Sequence, residues 1–572
     1  MSYIKESVSQ YKKQIFTGQF FKFIEAVLEL MIPVAMAVLI DEGVAKGNQS
    51  VVLRNIGYMV LLSIVGVLCA LVCQVIATKA SVGMAQKMRN EVFEQINKLS
   101  SEDLDEIGTN SLVTRLTLDI NNLQDSLAML IRLVVRSPFL AIGSIVMAVL
   151  LDINMSVVFF VTIPLIVLIM FLVLRIVAPR FTYLQKHLDR LSRRVDETLL
   201  GTRVIRAFSQ EQNRIDEFQK DARLYEQSAI ATGKISALLS PLTSLVMNLG
   251  IVAVLVFSGN RIQANEVQVG TVIAFIEYLV QIFLQTAVVA NLVIVYTRAY
   301  ASARRVEELM TLSPSVKDVR WQNEEIQKDK PINLEFKNVG ISFSSGKPAL
   351  KNISFTLNPK ETLGIIGGTG SGKSTVARLI LRLFDLSEGE IKLSGKDLKD
   401  IPLKTLRSYI SYVPQHARLF RGTIKENMLL SNPSASDEDI IKALKDAQAD
   451  FVFTNEEKLN FFIEENGRNL SGGQRQRLTI ARALVKPHDI LILDDAFSAL
   501  DFATEARVRK TLKEKQGNKS YIVISQRIST VMHADKILVL DGGEPSGLGT
   551  HEELLKTSRV YQEIQATQGA GV

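Results

Sequence analysis

Six long apolar stretches dominate the first half of the chain. Each is long enough to cross the roughly 30 Å hydrocarbon core of a membrane as a helix. They lie at residues 16–40, 56–77, 133–151, 155–178, 236–258 and 268–296. No stretch of this kind follows residue 300. The pattern therefore predicts an all-α membrane domain of six spanning helices, followed by a domain of different character.

The segments between these stretches alternate between short and long. The short ones hold only Lys46, Arg54 and Arg261 as basic residues, whereas the long ones at 78–132 and 179–235 hold six and eleven. Because Lys and Arg are enriched on the cytoplasmic side of a membrane, we expect the long segments and both termini to be cytoplasmic. Apolar residues recur at helical spacing in these long segments, which predicts helices that continue beyond the bilayer.

The composition changes after Tyr300. The following residues are charged and include Pro314 and the only tryptophan, Trp321, which indicates a linker between domains. Short β-branched runs then alternate with helical ones, as expected of a soluble α/β domain. The predicted organisation is a transmembrane domain at 1–308, a linker at 309–332 and an α/β domain at 333–572.

Composition and charge exclude several classes of protein. The mean hydropathy of +0.18 is high for a soluble protein, and the apolar excess lies before residue 300. The net charge of +7 comes in part from basic residues beside apolar spans, which favours membrane orientation over nucleic-acid binding. Cys69 and Cys73 are too few for a disulfide scaffold and are expected to pack in a helix face. The first apolar stretch lacks a small-residue cleavage site and is too long for a signal peptide.

The second half contains three motifs in a fixed order. A glycine-rich loop, GGTGSGKS, runs from Gly367 to Ser374 after a short apolar run. In such a loop, backbone N–H groups and a helix N-terminus face nucleotide phosphates, the lysine reaches the β- and γ-phosphates, and the final hydroxyl ligates Mg²⁺. The sequence LSGGQ follows at residues 470–474, and an apolar strand ending at Asp494 comes next.

This order resembles the ATP-binding cassette (ABC) family, for which LSGGQ is the signature. The resemblance implies an α/β phosphate-loop domain that uses ATP and Mg²⁺. It assigns adenine stacking to Phe343, contact with Mg²⁺ and the attacking water to Gln415, and Mg²⁺ binding to Asp494. The positions that it implies for nucleotide binding within the chain are Phe343, Gly367, Gly370, Gly372, Lys373, Ser374, Thr375, Gln415 and Asp494. The implied metal ligands are Ser374, Gln415 and Asp494.

The signature implies a second cassette. The resemblance makes Ser471, Gly472, Gly473 and Gln474 nucleotide-binding positions, and in the ABC family the residues corresponding to Ser471 and Gly473 cap the γ-phosphate of the nucleotide bound by the opposing cassette. This chain has one cassette, so the resemblance implies a dimer. The apolar half resembles the transmembrane domain of ABC exporters, in which helical extensions end in short coupling helices. By that resemblance the two coupling helices lie near 106–116 and 201–210.

Two positions depart from the pattern of an active cassette. Asp495 stands where the family has a catalytic glutamate, and its carboxylate is one methylene closer to the backbone. Misplacement by about an ångström can cost on the order of 10²-fold in rate, and loss of general-base help ~10²–10⁴-fold. Gln526 stands where the switch histidine is expected, and its amide can donate a hydrogen bond but cannot relay a proton. With Gln415, these are the predicted catalytic positions of a site that binds ATP and hydrolyses it poorly.

Polar residues recur every four positions inside two of the spans. Glu277, Gln281 and Gln285 would form a stripe on the sixth span, and Glu25 and Glu29 a pair on the first. An ionisable side chain at mid-membrane costs at least ~2.5 kcal/mol, so it faces a wet cavity or a partner. The stripe either lines a substrate pathway or makes hydrogen bonds between helices, and the sequence leaves both interpretations open.

Together these features predict one half of a heterodimeric ABC exporter, resembling the degenerate-site subunit of bacterial multidrug exporters. Its signature would complete the hydrolytic site of a partner that carries the catalytic Glu and the switch His. The expected cargo is an amphipathic small molecule, and the expected location is a bacterial plasma membrane. Alternatives are a homodimeric lipid or peptide exporter with slow hydrolysis, and an ATP-gated channel or regulatory subunit. Six spans exclude a soluble ABC ATPase that acts on nucleic acid.

Overall fold

The computed structural model describes residues 1–264, 266–319, 332–342, 348–454 and 456–569. The chain divides into two compact units. One comprises Met1–Asn97 and Asn110–Leu312, and the other Lys98–Thr109 and Ser313–Val572. The segment Lys98–Thr109, which the sequence places in the transmembrane domain, therefore belongs to the unit that contains the α/β fold. Half of the expected linker, residues 320–331, lies outside the described residues.

The first unit is helical throughout its described part. Its helices are α1 (Ser2–Ser9), α2 (Lys12–Val38), α3 (Gln49–Lys98), α5 (Thr109–Thr114), α6 (Ile120–Arg132), α7 (Arg136–Leu151), α8 (Val157–Leu200), α9 (Thr202–Ala207), α10 (Glu211–Ala237), α11 (Leu239–Gln263) and α12 (Val269–Thr311); α4 (Ser101–Ile107) lies in the second unit. In the part of the chain that the structure describes, six helical segments are long and apolar enough to span a membrane: Lys12–Val44, Gln49–Lys98, Thr109–Leu151, Val157–Leu200, Glu211–Gln263 and Val269–Thr311. The six predicted spans are confirmed.

The spanning helices are longer than a bilayer requires. Helix α8 has 44 residues, and at a rise of 1.5 Å per residue it is about 66 Å long, roughly twice the thickness of the hydrocarbon core. Its end packs against α10, where Arg194 lies 3.4 Å from Asp221. These two helices therefore extend outside the membrane, as the helical pattern of the long segments predicts.

Aromatic residues contribute to the mainly aliphatic core of the first unit. The rings of Phe159 on α8 and Phe275 on α12 stack with their centroids 5.5 Å apart. The buried Tyr278 donates a hydrogen bond of 2.7 Å to the carbonyl of Leu30 on α2, which satisfies its hydroxyl in an apolar setting. These contacts join three spanning helices around one core.

The polar stripe on α12 does not have uniform surroundings. Gln281 accepts a hydrogen bond of 3.0 Å from Ser144 on α7, which is a contact between helices. Gln285 is buried, and its side-chain oxygen has no hydrogen-bond partner among the described residues. Glu277 is half-buried. Helical spacing placed the three residues on one face, but their environments differ because different side chains of neighbouring helices approach them.

The acidic pair on α2 is engaged in ion pairs. Glu25 lies 2.6 Å from Lys22 on the same helix, and Glu29 lies 2.7 Å from Arg136 on α7. The Arg136 side chain also approaches Glu25 at 3.5 Å. These carboxylates therefore have cationic partners within the helix bundle, Lys22 on the same helix and Arg136 on α7.

The second unit is an α/β fold with an antiparallel sheet and a mainly parallel one. Its strands are β1 (Leu334–Ser342), β2 (Pro348–Leu357), β3 (Thr362–Gly367), β4 (Glu388–Leu393), β5 (Lys396–Asp397), β6 (Ile410–Val413), β7 (Gly422–Thr423), β8 (Phe462–Ile463), β9 (Ile490–Asp494), β10 (Ser520–Ile524), β11 (Lys536–Asp541) and β12 (Glu544–Gly549). Among the described residues the antiparallel sheet has the order β2-β1-β4-β5 and the larger sheet β12-β11-β3-β10-β9-β6, while β7 pairs with β8.

The described part of this unit also contains helices. They are α13 (Lys373–Ile380), α14 (Leu403–Tyr409), α15 (Ile424–Leu429), α16 (Asp437–Asp446), α17 (Gly472–Val485), α18 (Phe502–Glu514), α19 (Ile528–Val531), α20 (His551–Thr557) and α21 (Arg559–Gly569). Strands β9 and β10 are buried along their whole length, as expected of central parallel strands with covered faces. The predicted order of a six-helix transmembrane domain and an α/β domain is confirmed.

The register of the parallel strands determines where the site forms. Ile524 of β10 pairs with Ile365 of β3 on one side and with Asp494 of β9 on the other. Val413 of β6 pairs with Leu493 of β9. The carboxyl ends of these four strands therefore lie side by side at one edge, which is where open α/β sheets bind their ligands.

Two short helices lie at or near the predicted coupling segments. The first is α4 at Ser101–Ile107; residues 109–114 already belong to α5, so the short helix begins earlier than the expected range of 106–116. A capping box starts α4, because Asp103 and Ser100 exchange side-chain and backbone hydrogen bonds. The second is α9 at Thr202–Ala207, inside the expected 201–210. Their coupling role remains a prediction.

Candidate nucleotide site

The glycine-rich loop joins β3 to α13 in a conformation that requires glycine. Gly370 and Gly372 have left-handed φ angles of 79° and 91°, which side chains disfavour. A Cβ at Gly367 would lie 2.2 Å from the carbonyl oxygen of Leu540 on β11. The loop therefore packs closely on the sheet and leads into a helix N-terminus, where backbone N–H groups and the helix dipole favour an anion.

Lys373 holds its charge inside this loop. Its Nζ donates hydrogen bonds of 2.9 Å and 2.6 Å to the carbonyls of Gly367 and Gly368. Burial lowers the pKa of Lys373, and the nearby carboxylates of Asp495 and Asp494 act against that shift. The lysine is thus a buried cation at the point where phosphate oxygens would bind.

Asp494 is the centre of a short hydrogen-bonded network. Ser374 Oγ donates to its Oδ1 at 2.9 Å, and the Tyr412 hydroxyl donates to its Oδ2 at 3.1 Å. Burial raises the pKa of Asp494, whereas these two hydrogen bonds favour the ionised carboxylate. The pKa of Tyr412 is raised by burial and by the charge of Asp494, so this phenol stays protonated and remains a donor.

The oxygen donors of this network fit a magnesium ion. Mg²⁺ prefers oxygen ligands and in nucleotide sites takes one or two carboxylates together with phosphate oxygens. Ser374, Asp494 and the exposed amide of Gln415 would supply such ligands, because all three line the same cavity. Within the described ranges there is no cluster of three His, Cys, Asp or Glu side chains that could hold a metal alone. When bound, the ion would neutralise charge on the phosphates.

One cavity of about 340 Å³ collects most of the predicted residues. Its lining residues are Pro348, Ala349, Thr369, Gly370, Ser371, Gly372, Lys373, Ser374, Thr375, Gln415, Asp494, Asp495, Ile524, Gln526 and Gly542. Gly367 is not among the lining residues, but its carbonyl accepts a hydrogen bond from Lys373. Phe343, the expected adenine-stacking residue, lies outside the described residues. The two departures from the family pattern, Asp495 and Gln526, therefore share a cavity with the intact binding residues.

The backbone at Asp495 has an unusual conformation. Its φ angle is 48°, in the left-handed region, where Asp and Asn are found more often than longer side chains. Its N–H donates to Ile524 on β10 at 2.9 Å, and its carbonyl accepts from both N–H and hydroxyl of Ser498. Both the N–H and the carbonyl of the residue immediately after the strand are therefore held by hydrogen bonds.

The signature forms the start of helix α17. Ser471 is the N-cap, and its Oγ accepts from the N–H of Gln474 at 3.2 Å. The Gln474 side chain accepts in turn from the N–H of Ser471 at 2.8 Å, which completes a capping box. Ser471 and Gly472 are exposed, and none of the four residues from Ser471 to Gln474 lines the phosphate-loop cavity. The structure thus separates the signature from the phosphate loop of its own chain.

The sequence motifs did not indicate two residues that contact the site. Tyr412 lies in the same short run as Gln415, but only the folded chain shows its bond to Asp494. Gln568 on α21 donates to the carbonyl of Gln526 and accepts from the N–H of Ile528. No local pattern could have revealed Gln568, because 42 positions separate it from Gln526.

Comparison with known proteins agrees with this geometry. Residues 15–286 match the family described as ABC transporter transmembrane region, and residues 350–498 match the family described as ABC transporter. The ABC transporter ATP-binding protein YfiB of Bacillus subtilis is 33% identical over 547 residues, covering 95% of this chain and 94% of YfiB. The chain belongs to the ABC transporter family. It is an ATPase-coupled transporter of the multi-pass membrane type, with the transmembrane and ATPase domains fused in one half-transporter.

Two further relatives refine the family assignment. The ABC half-transporter is 36% identical over 386 residues to a Bacillus subtilis protein named Probable multidrug resistance ABC transporter ATP-binding/permease protein YheI, covering 67% of this chain and 66% of YheI. Its fold matches the solved structure of a bacterial Atm1-family ABC exporter with ATP bound, with a TM-score of 0.79 and 25% identity over 97% of this chain and 99% of that one. The fold is therefore that of ABC exporters, which act as dimers in a membrane.

Proposed function

We propose that this chain is one half of a heterodimeric ABC exporter whose own ATP site binds nucleotide and turns it over slowly. The observation that carries the proposal is the composition of the phosphate-loop cavity. Lys373, Ser374 and Asp494 are present there with bonded side chains, whereas Asp495 and Gln526 replace the residues expected to drive hydrolysis. Binding and turnover thus depend on different side chains of one cavity.

The chain's own residues explain slow turnover. A general base must reach the proton that it removes, and the shortened Asp495 carboxylate starts from a backbone fixed by its bonds to Ile524 and Ser498. Gln526 would donate a hydrogen bond to a γ-phosphate oxygen without carrying charge. Lys373 and the N-terminus of α13 would still stabilise the phosphates, because neither depends on the two substituted positions.

The signature would serve the partner's site. Ser471 and Gly473 lie at a helix N-terminus outside the cavity of their own chain, where they are accessible to a second cassette. In the proposed pair, the partner carries the catalytic Glu and the switch His, and this chain's signature caps the γ-phosphate bound there. Closure of the two cassettes would open the membrane half outward, and hydrolysis at the partner's site would reset it.

The proposed cargo is an amphipathic small molecule, as in multidrug efflux. The name of YheI supports this, and so does an open cavity of about 660 Å³ in the first unit, between α6, α7 and α12. Its lining is mainly apolar and includes Tyr296, Thr297 and Tyr300, and its volume lies in the range of drug-sized sites. The basic long segments support cytoplasmic termini and insertion in a bacterial plasma membrane.

The test is the ATPase activity of the purified chain in lipid, alone and co-purified with its membrane partner. We expect almost no activity alone and robust, drug-stimulated activity in the pair. A Lys373→Ala variant controls for contaminating ATPases in the single-chain sample. Comparable activity with and without the partner would replace the heterodimer with a homodimer that hydrolyses slowly at two identical sites. Nucleotide-gated ion conductance without transport would favour the channel alternative.

A further inference from the structure

Helix α21 contacts the main chain at the switch position. The Gln568 side chain donates from Nε2 to the carbonyl of Gln526 at 2.6 Å and accepts at Oε1 from the N–H of Ile528 at 2.8 Å. One side-chain amide therefore bridges the backbone on both sides of Arg527. Both partners are backbone groups, so the contact restrains the path of the chain and does not depend on the identity of the side chains there.

The bridged segment has a structural need for such a partner. Ile528 is the first residue of α19, a helix of four residues whose N-cap, Arg527, provides no side-chain cap. The first N–H groups of a helix have no partner within it and require one from elsewhere. Gln568 supplies the acceptor for Ile528 from a different helix. The same amide fixes the carbonyl of Gln526, whose side chain lines the phosphate-loop cavity.

Each side of the bridge is firmly anchored. Helix α21 is held by Tyr561, which is fully buried and whose hydroxyl lies 2.6 Å from His551 Nδ1. On the side of the segment, Thr530 donates to Glu505 of α18 at 2.8 Å, and Arg527 lies 3.7 Å from the same carboxylate. The exposed Gln568 amide therefore joins the end of α21 to the segment that carries Gln526.

We propose that Gln568 is a positioning residue for the ATP site: it holds the backbone of residues 526–528 so that the Gln526 amide points at the γ-phosphate. This rests on the proposed contact between Gln526 and that phosphate. A consequence is that Gln568 affects ATP more than ADP, because ADP lacks the group that Gln526 would contact. Changes in α21 are then transmitted to the γ-phosphate side of the cavity through one side chain.

The test uses the full chain with its partner in lipid nanodiscs. Photo-crosslinking with 8-azido-ATP and 8-azido-ADP, read on the band of this chain, gives the affinity ratio of the two nucleotides at its own site. Hydrogen–deuterium exchange of the peptide containing residues 525–528 reports on the bridge. Gln568→Ala should raise exchange there and weaken ATP binding about three- to tenfold, as expected for loss of one or two neutral hydrogen bonds, with ADP binding unchanged.

Two controls isolate the bridge. Gln562→Ala removes an exposed glutamine of the same helix that bonds to the carbonyl of Leu555, away from the switch segment, and should change neither readout. Gln568→Glu keeps an acceptor for Ile528 but cannot donate to Gln526 when ionised, so it should preserve more of the exchange protection than Gln568→Ala while still weakening ATP binding. Equal behaviour of Gln562→Ala and Gln568→Ala would overturn the proposal.

The Gln526→Ala variant tests the proposed γ-phosphate contact separately from the positioning role of Gln568. If Gln526→Ala weakens ATP relative to ADP, and Gln568→Ala adds nothing in that background, the positioning role is supported. If Gln526→Ala weakens ATP but Gln568→Ala alone does not, Gln568 is only structural and the inference fails. If Gln526→Ala leaves the nucleotide ratio unchanged, the proposed γ-phosphate contact is wrong, and the positioning role is rejected with it.

Discussion

The phosphate-loop cavity and the signature helix belong to one domain, but only the cavity departs from the family pattern. The cavity keeps its binding residues and carries Asp495 and Gln526 at the positions for hydrolysis. The signature at the start of α17 has every residue of its motif and a complete capping box. The cavity thus differs from the family pattern at two positions, and the signature differs at none.

Under the proposed function, the two regions serve different nucleotides. A chain that had simply ceased to use ATP would have no reason to keep either region. A chain acting in two composite sites needs its signature for the productive one and its phosphate loop for the other. Variants in the two regions should therefore have unequal effects on the assembled transporter, and the inequality can be measured.

The largest effect is expected in the signature. Gly473→Glu should reduce the ATPase activity of the assembled pair on the order of 10²-fold, comparable to losing one donor to a developing anion. A Cβ at Gly473 would lie 3.2 Å from the carbonyl of Ala499, and the new carboxylate would repel the partner's γ-phosphate. Steady-state ATPase assays of the pair in lipid measure this directly.

A charge-matched variant on another helix provides the control. Gln562→Glu adds the same charge at an exposed glutamine of α21 whose amide bonds to the carbonyl of Leu555, so it should retain most of the activity. Nucleotide crosslinking to this chain's own cavity should survive in Gly473→Glu, because the signature does not line it. Full activity of the pair with Gly473→Glu would mean that this signature does not serve the productive site.

An intermediate effect is expected from restoring the cavity. Asp495→Glu combined with Gln526→His should raise turnover at this chain's own site, by about tenfold or more if general-base help is regained. The gain in turnover should be smaller than the full rate effect of a catalytic glutamate, because the left-handed backbone at position 495 disfavours the longer side chain. Single-turnover hydrolysis in a pair whose partner site is disabled gives the rate.

The single variants show whether the two substitutions act together. If they do, the rate gains of Asp495→Glu alone and of Gln526→His alone should multiply to less than the gain of the double variant. Turnover that stays at the starting level in the double variant would show that other residues disable the site, and the contrast between cavity and signature would then need another explanation.

The smallest effect is expected at Tyr412. Tyr412→Phe removes the hydroxyl that donates to Asp494 and leaves the ring, so about a two- to fivefold rise in the Mg²⁺ concentration needed for nucleotide binding is expected for one lost hydrogen bond. Magnesium titration of ATP crosslinking measures the shift. Ser411→Ala, which removes a buried hydroxyl bonded to Ala483 instead, should leave the titration unchanged. Equal shifts would show a general loss of stability.

Local sequence predicted the ATPase fold and most of its cavity for a physical reason. Lys373 follows β3, Gln415 follows β6, Asp494 ends β9 and Gln526 follows β10. Parallel strands bring their carboxyl ends to one edge, so residues that follow different strands are brought together by the register alone. The six spans were equally predictable, since length and apolar content determine them.

Contacts between distant segments were not predictable in this way. Tyr412 reaches Asp494 across 82 positions, and Gln568 reaches Gln526 across 42. In the membrane unit, helical spacing predicted a common face for Gln281 and Gln285, but Ser144 of another helix bonds only one of them. The partner of a side chain depends on which helix packs beside it, and periodicity carries no such information.

The capping box of the signature has a consequence for how such chains diverge. A serine hydroxyl has one proton and two lone pairs, and the cap at Ser471 uses a lone pair to accept from Gln474. The proton remains free to donate outward to a phosphate oxygen. A single hydroxyl can thus keep a helix folded and serve a neighbour's reaction at the same time, so selection on folding alone would preserve Ser471. Gly473 is constrained by packing as well, because a Cβ there would lie 3.2 Å from the carbonyl of Ala499. Folding within one chain therefore favours both signature residues, independently of any partner.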